Sequence, residues 1–295
     1  MTNPATETAT YQIGGADVCV AVDAGPRIVS YSLSGTGQLF ADLPDDYIEH
    51  PETGRFYFIG GHRLWRAPER PAITYEPDSR PVTIREFEEG IEITGMAHHD
   101  GIVKSMAISA SGEATVVDHT LTHEGDSDVV TAPWAITQLT VGGTAIMPLA
   151  GRASESDDVL PDRSIVLWPY TDPSTIDITF TRDKVLMNSS RDADRAKIGT
   201  QNTRGWIAYR LFDDLFVKWS STHDEAHTYP DLGSSIECYA DRRFVELETL
   251  GPLVTLRPGE SVRHREVWQL YDLAGSPMDD FLHSLPVEPV AMLAN

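Results

Sequence analysis

The feature that most limits the possible fold is a succession of short runs rich in Val, Ile, Thr and aromatic residues. They recur from about residue 10 to 272, for example over 18–22, 27–33, 114–121 and 244–250, separated by Gly, Asp, Pro and Ser. No helix-period pattern of comparable length competes with them. Because this texture is typical of many strands joined by turns, it predicts an all-β fold, a large antiparallel β-sandwich.

The texture hardly changes along the chain, so the sequence predicts one domain over residues 1–295, with a core of about 10–272 and a tail of 273–295. In the tail, Asp279 and Asp280 precede Phe281 and Leu282. Acids in a first turn followed by apolar residues predict a short C-terminal helix, packed across an open edge of the sandwich.

Turn and loop signals divide the strands. Gly112 and Gly259 each lie between strand-like runs, where glycine permits a positive backbone angle, and each predicts a tight hairpin turn. The stretches 44–81 and 152–173 look long and irregular. Since a rigid β scaffold tends to carry its binding residues on such loops, we expect chemistry there first.

Charge excludes several kinds of partner. The formal net charge of -22 would repel nucleic acid and an anionic membrane surface, whereas a neutral or weakly basic small molecule is compatible with it. The N-terminus has no basic leader followed by an apolar core, and no stretch approaches the roughly 18 apolar residues of a membrane span. We therefore expect a cytoplasmic location; the oligomeric state stays open.

Neither a metal nor a cofactor is expected. Cys19 and Cys238 lie in separate strand-like runs and predict reduced, buried thiols. The pairs His98-His99 and His223/His227 consist of a residue type that commonly binds metal ions. Adjacent histidines in a strand point to opposite faces, and no helix aligns the second pair, so both predict surface turns. No phosphate-binding or nucleotide fingerprint is present.

The densest group of functional side chains is residues 60–69, Gly-Gly-His-Arg-Leu-Trp-Arg-Ala-Pro-Glu. Here Arg63 and Glu69 could grip a polyol through charge-assisted hydrogen bonds while Trp65 covers an apolar face of the ring, and His62 supplies a titratable group. The alternative is a structural loop in which the arginines pair with acids and Trp65 is core.

A second group follows from strand alternation over residues 244–250, Phe-Val-Glu-Leu-Glu-Thr-Leu. Alternate residues share a face, so Glu246 and Glu248 lie side by side, where mutual repulsion and burial would raise at least one carboxyl pKa toward the range of a general base. An exposed strand face is the alternative. Trp134, in an apolar stretch, is either a stacking platform or core.

Several motifs resemble the aldose 1-epimerase, or galactose mutarotase-like, superfamily. Residues 16–31 are similar to its first hairpin, where a Gly turn leads to an Arg-Ile pair that includes Arg27. Leu247-Glu248-Thr249 and the following Leu-Arg-Pro-Gly-Glu at 256–260 are similar to its closing strands. The resemblance implies the mutarotase supersandwich fold, a sugar or sugar-like ligand and Glu248 as the catalytic base, with His62 the best remaining candidate for the acid. The residues expected to bind substrate are Arg27, Arg63, Trp65, Glu69, Trp134 and Glu246.

The sequence departs from this family at mid-chain. The family's Asn-x-x-His-x-Tyr-Phe-Asn stretch is replaced by Pro-Trp-Ala-Ile-Thr at 133–137, and tryptophan cannot act as an acid. The leading hypothesis is an acid-base epimerase acting on a sugar or cyclic hemiacetal. A carbohydrate-binding protein without turnover, and a lyase or glycoside hydrolase of the same superfamily, remain alternatives. The epimerase hypothesis requires His62 and Arg63 to approach Glu246 and Glu248 across one pocket.

Overall fold

The computed structural model describes residues 6–33, 37–149, 162–174, 177–221, 228–273, 275, 277–286 and 289. Two antiparallel sheets, of 11 and 10 strands, form the molecule. The predicted all-β sandwich is confirmed. None of the helices in these ranges is long and apolar enough to cross a membrane.

The first sheet carries most of the candidate site residues. Its strands are β1 (Thr8–Ile13), β2 (Ala16–Ala21), β3 (Arg27–Leu33), β4 (Asp42–His50), β5 (Gly54–Ala67), β10 (Val129–Thr140), β12 (Val166–Leu167), β15 (Ala196–Thr200), β18 (Ile236–Ala240), β19 (Phe244–Leu250) and β20 (Val254–Leu256). They run in the order β1-β2-β3-β5-β10-β19-β18-β15-β12, with β4 paired to β5 and β20 to β10. The long strands β5, β10 and β19 therefore lie side by side at the centre.

The second sheet forms the other layer. Its strands are β6 (Thr83–Phe87), β7 (Gly90–Thr94), β8 (Ile102–Ser111), β9 (Ala114–His123), β11 (Thr144–Pro148), β13 (Ile178–Phe180), β14 (Lys184–Asn188), β16 (Trp206–Leu211), β17 (Asp214–Ser220) and β21 (Ser261–Asp272). They run in the order β13-β14-β11-β16-β17-β21-β9-β8-β7-β6. Helix α1 (Pro71–Thr74) lies between β5 and β6 in the chain, and α2 (Met278–Ser284) follows β21.

Apolar side chains fill the space between the sheets. Tyr31 and Phe40 from the first sheet's side meet Phe216 and Trp268 from the second, with ring centroids 5.4–6.3 Å apart. Burying a large apolar side chain contributes roughly 1.5–3 kcal/mol. This core holds the sheets face to face, and each sheet also carries an apolar cluster on its outer face.

Several local predictions can be compared with the strands. The C-terminal helix is confirmed, and the Gly112 turn joins the paired strands β8 and β9. The hairpin at Gly259 is wrong: β20 pairs with β10 in the first sheet, whereas β21 belongs to the second. That turn is a corner between the sheets, because the chain must change layers there.

The stretch 44–81 is not irregular, which corrects the sequence prediction. Residues 42–67 form the paired strands β4 and β5, and α1 follows. Polar residues in β4 hide the strand pattern, because that strand lies outside the main path of the sheet and half of its side chains face solvent. The stretch 152–173 falls partly outside the described residues, and its described part contains β12.

Gly60 and Gly61 lie where β5 changes partner from β4 to β3. Both have positive φ, 98° and 72°, and a Cβ added at Gly61 would lie 2.1 Å from the Ile28 carbonyl oxygen. We expect Gly61→Ala to lower the free energy of unfolding by about 2–3 kcal/mol, from backbone strain and the clash together.

Urea unfolding would measure this loss, with Gly15→Ala as the matched control. Gly15 also has positive φ, 81°, but an added Cβ there meets nothing within 4 Å, so only strain of about 1 kcal/mol is expected. Equal losses in the two variants would contradict a close approach of β3 to Gly61.

Candidate functional site

Strand register places the candidate side chains on the outer face of the first sheet. Ile136 of β10 is opposite Arg63 of β5 on one side and Glu248 of β19 on the other. Trp134 is likewise opposite Trp65. Because alternate residues share a face, Arg63, Trp65, Trp134, Glu246 and Glu248 all project to the same side of the sheet, away from the second sheet.

A pocket of about 420 Å³ opens on this face. Its walls are mainly aromatic, namely Tyr47, Phe58, Trp65, Tyr75, Trp134, Trp168, Tyr170, Tyr239 and Phe244. Charged groups interrupt them: Glu69, Glu246, Lys197, Arg195 and Arg243. Apolar walls with a few converging polar groups are typical of sites for small molecules.

Glu246 is the carboxyl group that the pocket reaches. It is 8% exposed, and one carboxylate oxygen accepts a 2.9 Å hydrogen bond from Gln138 Nε2. The oxygen of the Gln138 amide in turn accepts a hydrogen bond from the buried Arg63 guanidinium. Burial, reinforced by the neighbouring Glu248, raises the pKa of Glu246 to about 8, although Arg63 and Lys197 act in the opposite direction.

Glu248 lies beneath the pocket and does not line it. It is fully buried, and Oε2 accepts hydrogen bonds from Trp134 Nε1 at 2.6 Å and Lys197 Nζ at 2.8 Å. Lys197 Nζ also lies 2.7 Å from Glu237 Oε2. The expectation that Glu248 faces the ligand is therefore not met, because Trp134 and Lys197 bind its carboxylate.

Lys197 joins these carboxylates to the pocket. Its ammonium group lies 4.7 Å from the Trp134 ring centroid and 4.6 Å from that of Trp168, and the residue lines the pocket. Burial acts to lower the pKa of Lys197, but Glu237 and Glu248 outweigh it and hold the pKa well above its ordinary value. Lys197 is thus a fixed cation at the pocket floor.

Two predicted binding arginines lie behind the pocket wall. Arg63 is 1% exposed, donates to the Phe58 carbonyl at 3.0 Å, and lies 4.9 Å from the Trp65 ring centroid. Arg27 is fully buried and pairs with Asp78 at 3.1 Å. Neither is among the residues that line the pocket, and the predicted contact of Arg27 and Arg63 with a ligand stays a prediction.

His62 lies on the opposite face of the sheet, which corrects the main spatial expectation. It follows Gly61 and precedes Arg63 in β5, and neighbours in a strand point to opposite sides. Its ring is fully buried between the sheets, 4.6 Å from the Trp268 ring centroid. It therefore cannot serve a ligand in the outer pocket together with Glu246.

The hydrogen bonds of His62 define its protonation. A carbonyl can only accept, so His119 Nδ1 donates to the His264 carbonyl at 2.9 Å, and His119 Nε2 accepts from His62 Nε2 at 2.7 Å. His62 Nδ1 then accepts from Thr137 at 2.9 Å. Burial and the nearby Lys218 hold the pKa of His62 well below its ordinary value, so the ring is neutral.

His62, His119 and Glu266 are the only described residues whose ligand atoms are close enough to share a metal ion, within 4.8 Å of one another. Lys218 Nζ already lies 2.8 Å from Glu266 Oε1 and 3.0 Å from Thr137 Oγ1. The Lys218 ammonium and the proton on His62 Nε2 therefore already pair with the ligand atoms of these three residues. The contacts connect the inner face of β10 and β19 to the second sheet.

The other histidine clusters lie away from the pocket. His98 and His99 both bond Glu76, at 3.1 and 2.5 Å from Nδ1, and of the two only His99 is exposed. His223 and His227 lie outside the described residues. At the pocket rim, Tyr75 donates a 2.5 Å hydrogen bond to the exposed Glu69.

Sequence reasoning missed Lys197, Tyr170 and Tyr239. Lys197 lies in the apolar run Ala-Lys-Ile-Gly-Thr of β15, where an isolated lysine requires a buried partner. That requirement was the available signal for the site. The rings of Tyr170 and Tyr239 meet edge to face with their centroids 6.3 Å apart, but nothing local in sequence predicts this approach.

Comparisons with known proteins address the fold. The sequence matches no protein-family model and no curated protein. Among solved structures, a candidate aldose 1-epimerase from Escherichia coli K12 superposes with a TM-score of 0.56 at 12% identity, covering 91% of this chain and 100% of that one. A galactose mutarotase-like protein from Lactobacillus casei gives 0.54 at 9% identity, covering 90% and 100%.

A TPR-domain containing protein from Parabacteroides distasonis gives a TM-score of 0.60 at 13% identity, over 97% of this chain and 50% of that one. Identities this low report on the fold alone. The predicted resemblance is confirmed at that level: the chain has the β-sandwich fold of aldose 1-epimerase-like and galactose mutarotase-like proteins.

Proposed function

We propose that the outer-face pocket binds a sugar or similar cyclic hemiacetal and interconverts its anomers by acid-base catalysis. The observation that carries the proposal is Glu246, a carboxyl with a pKa of about 8 on the floor of an aromatic-walled pocket. A proton-transfer group works best when its pKa is near the working pH. A carboxyl that only held the strand in place would not need to face a pocket.

The walls suit a ring that is apolar on its faces and polar at its edge. Trp65, Trp168 and Tyr239 offer ring surfaces for C–H groups, while Glu69 and Arg195 offer hydrogen bonds for hydroxyls. The Arg195 guanidinium carbon lies 4.5 Å from the centroid of the Tyr170 ring, and this cation–π contact holds the guanidinium at the rim of the pocket. A small polyol fits this combination better than a purely apolar molecule.

The reaction needs one base and one acid. Ionised Glu246 takes the proton of the anomeric hydroxyl, the bond between the anomeric carbon and the ring oxygen breaks, and Lys197 gives a proton to the released oxygen. Even an ammonium with a raised pKa can do this, because the alkoxide formed on ring opening is a far stronger base than an amine. The aldehyde then rotates about the bond between its carbonyl carbon and the next carbon. The ring oxygen returns its proton to Lys197 and attacks the other face of the carbonyl, Glu246 returns its proton to the carbonyl oxygen, and the other anomer results.

Buried neighbours prepare these two groups. Glu237 and Glu248 fix the Lys197 ammonium from below, and Gln138 orients Glu246. In this proposal Glu248 positions the acid and does not take the proton itself. The assignment replaces the pair Glu248 and His62, because the first is covered and the second lies on the other face.

An exchange assay tests the proposal. Anomeric exchange of a panel of aldoses and aldose derivatives would be followed by NMR or polarimetry, with and without the protein. We expect at least one member to interconvert faster than in buffer alone. A sugar that binds in calorimetry while no panel member is accelerated would contradict catalysis and would support binding without turnover.

A further inference from the structure

A second cavity, of about 370 Å³, lies on the other side of the molecule. It is formed between the second sheet and α2, and its apolar lining is Pro148, Trp206, Leu282 and Leu285. Trp206 and Leu282 belong to the apolar cluster on the outer face of the second sheet. No residue lines both cavities, so this one is independent of the proposed sugar pocket.

Its charged lining has the opposite sign to the protein as a whole. Arg182, Lys184 and Arg204 line it, against a single acid, Asp183. Lys184 is already neutralised, since Nζ lies 3.2 Å from both Asp183 and Asp279. Arg182 and Arg204 are exposed and have no acidic partner in the described part of the chain. In a chain of net charge -22, this local excess of cations favours an anion.

The floor also offers a hydrogen-bond donor. Trp206 is 7% exposed, and its indole nitrogen has no acceptor among the described residues. An indole N–H can only donate. Solvent reaches this nitrogen, unlike the buried indole nitrogen of Trp65, so an acceptor group on a ligand in the cavity can take its hydrogen bond.

We infer that this cavity is a second binding site, for an organic anion with an apolar body, specifically an aryl or alkyl carboxylate. The apolar body packs on Trp206, Leu282 and Leu285, and the carboxylate pairs with the guanidinium groups of Arg182 and Arg204. Guanidinium groups match carboxylates in geometry and charge. Leu282 lies in α2 and Leu285 directly follows it. The ligand therefore binds only when that helix is packed against the sheet. Binding to the folded state alone stabilises the folded protein.

Calorimetric titration with 2-naphthoate tests the site. We expect saturable binding of one molecule per chain to the full-length protein. The double variant R182E/R204E should weaken it by at least about tenfold, because two charge-assisted contacts become repulsive. Trp206→Phe, which keeps a ring but removes the N–H, should weaken binding by a smaller factor.

Two control variants distinguish binding in this cavity from a general charge effect and from binding in the first pocket. R191E/R257E makes the same change of net charge at two exposed arginines that do not line the cavity, and Glu246→Gln alters the first pocket. Both should bind 2-naphthoate like the wild type. The inference is overturned by the absence of saturable binding, by an equal loss in R191E/R257E, by a loss in Glu246→Gln, or by inorganic phosphate binding as tightly as 2-naphthoate.

Discussion

Replacing Glu246 by Gln should reduce the enzymatic rate of anomeric exchange by about 100- to 10,000-fold, the usual contribution of a positioned general base. The amide keeps the size of the side chain and can still accept a hydrogen bond, so the loss reports on proton transfer. Exchange of the best panel sugar, followed by NMR for wild type and variant, measures it. Glu86→Gln, at an exposed carboxyl of β6, is the matched control and should retain the wild-type rate.

The pH dependence of the wild-type rate follows from the same group. Glu246 is protonated below its pKa of about 8 and must ionise to act as a base. The rate should therefore rise with pH through about 8 and level off above it, whereas the residual rate of Glu246→Gln should lack this step. A wild-type rate that falls as pH rises through 8 would assign Glu246 the role of acid and contradict the proposed mechanism.

Replacing Lys197 by Met should lower the free energy of unfolding by about 3–5 kcal/mol, because Glu237 and Glu248 would remain buried without their cation. Both carboxylates are fully buried within 2.8 Å of the Lys197 ammonium. Urea unfolding would measure the loss. Adding E237Q and E248Q to the same variant should recover much of it, since the uncompensated charges are then gone.

Lys184→Met is the matched control for this loss. Lys184 also contacts two carboxylates, but Asp183 and Asp279 are 44% and 65% exposed, so solvent screens the pair. The expected cost is about 1 kcal/mol or less. If Lys197→Met were no more destabilising than Lys184→Met, the assignment of a buried charge cluster around Lys197 would be wrong.

Strand alternation predicts which side chains share a face, and it does so from sequence alone. Glu246 and Glu248 do project to one side of β19, bounded by Phe244 and Leu250. The same alternation places His62 and Arg63 on opposite faces of β5. The sequence does not reveal that residues 60–69 belong to a strand, because the two glycines and the polar residues of β4 are typical of a loop. Glycine here marks a change of strand partner within β5.

The neighbours of each strand could not be predicted. β5, β10 and β19 are separated by long stretches of sequence, yet they are adjacent in the sheet. Local composition contains no information on this pairing, which decides that Trp134 and Lys197 cover Glu248. The turn and helix chemistry near Gly112 and Met278 is local, and those elements were predicted correctly.

The central claim is that a sugar binds on the outer face of the first sheet with its anomeric hydroxyl at Glu246. A crystal structure of the protein with the panel sugar that it accelerates most tests this directly. We expect the ring between Trp168 and Tyr239, with the anomeric oxygen within about 3 Å of the Glu246 carboxyl. A sugar ordered elsewhere on the protein, or bound in the pocket with its anomeric oxygen directed away from both Glu246 and Lys197, would contradict the claim.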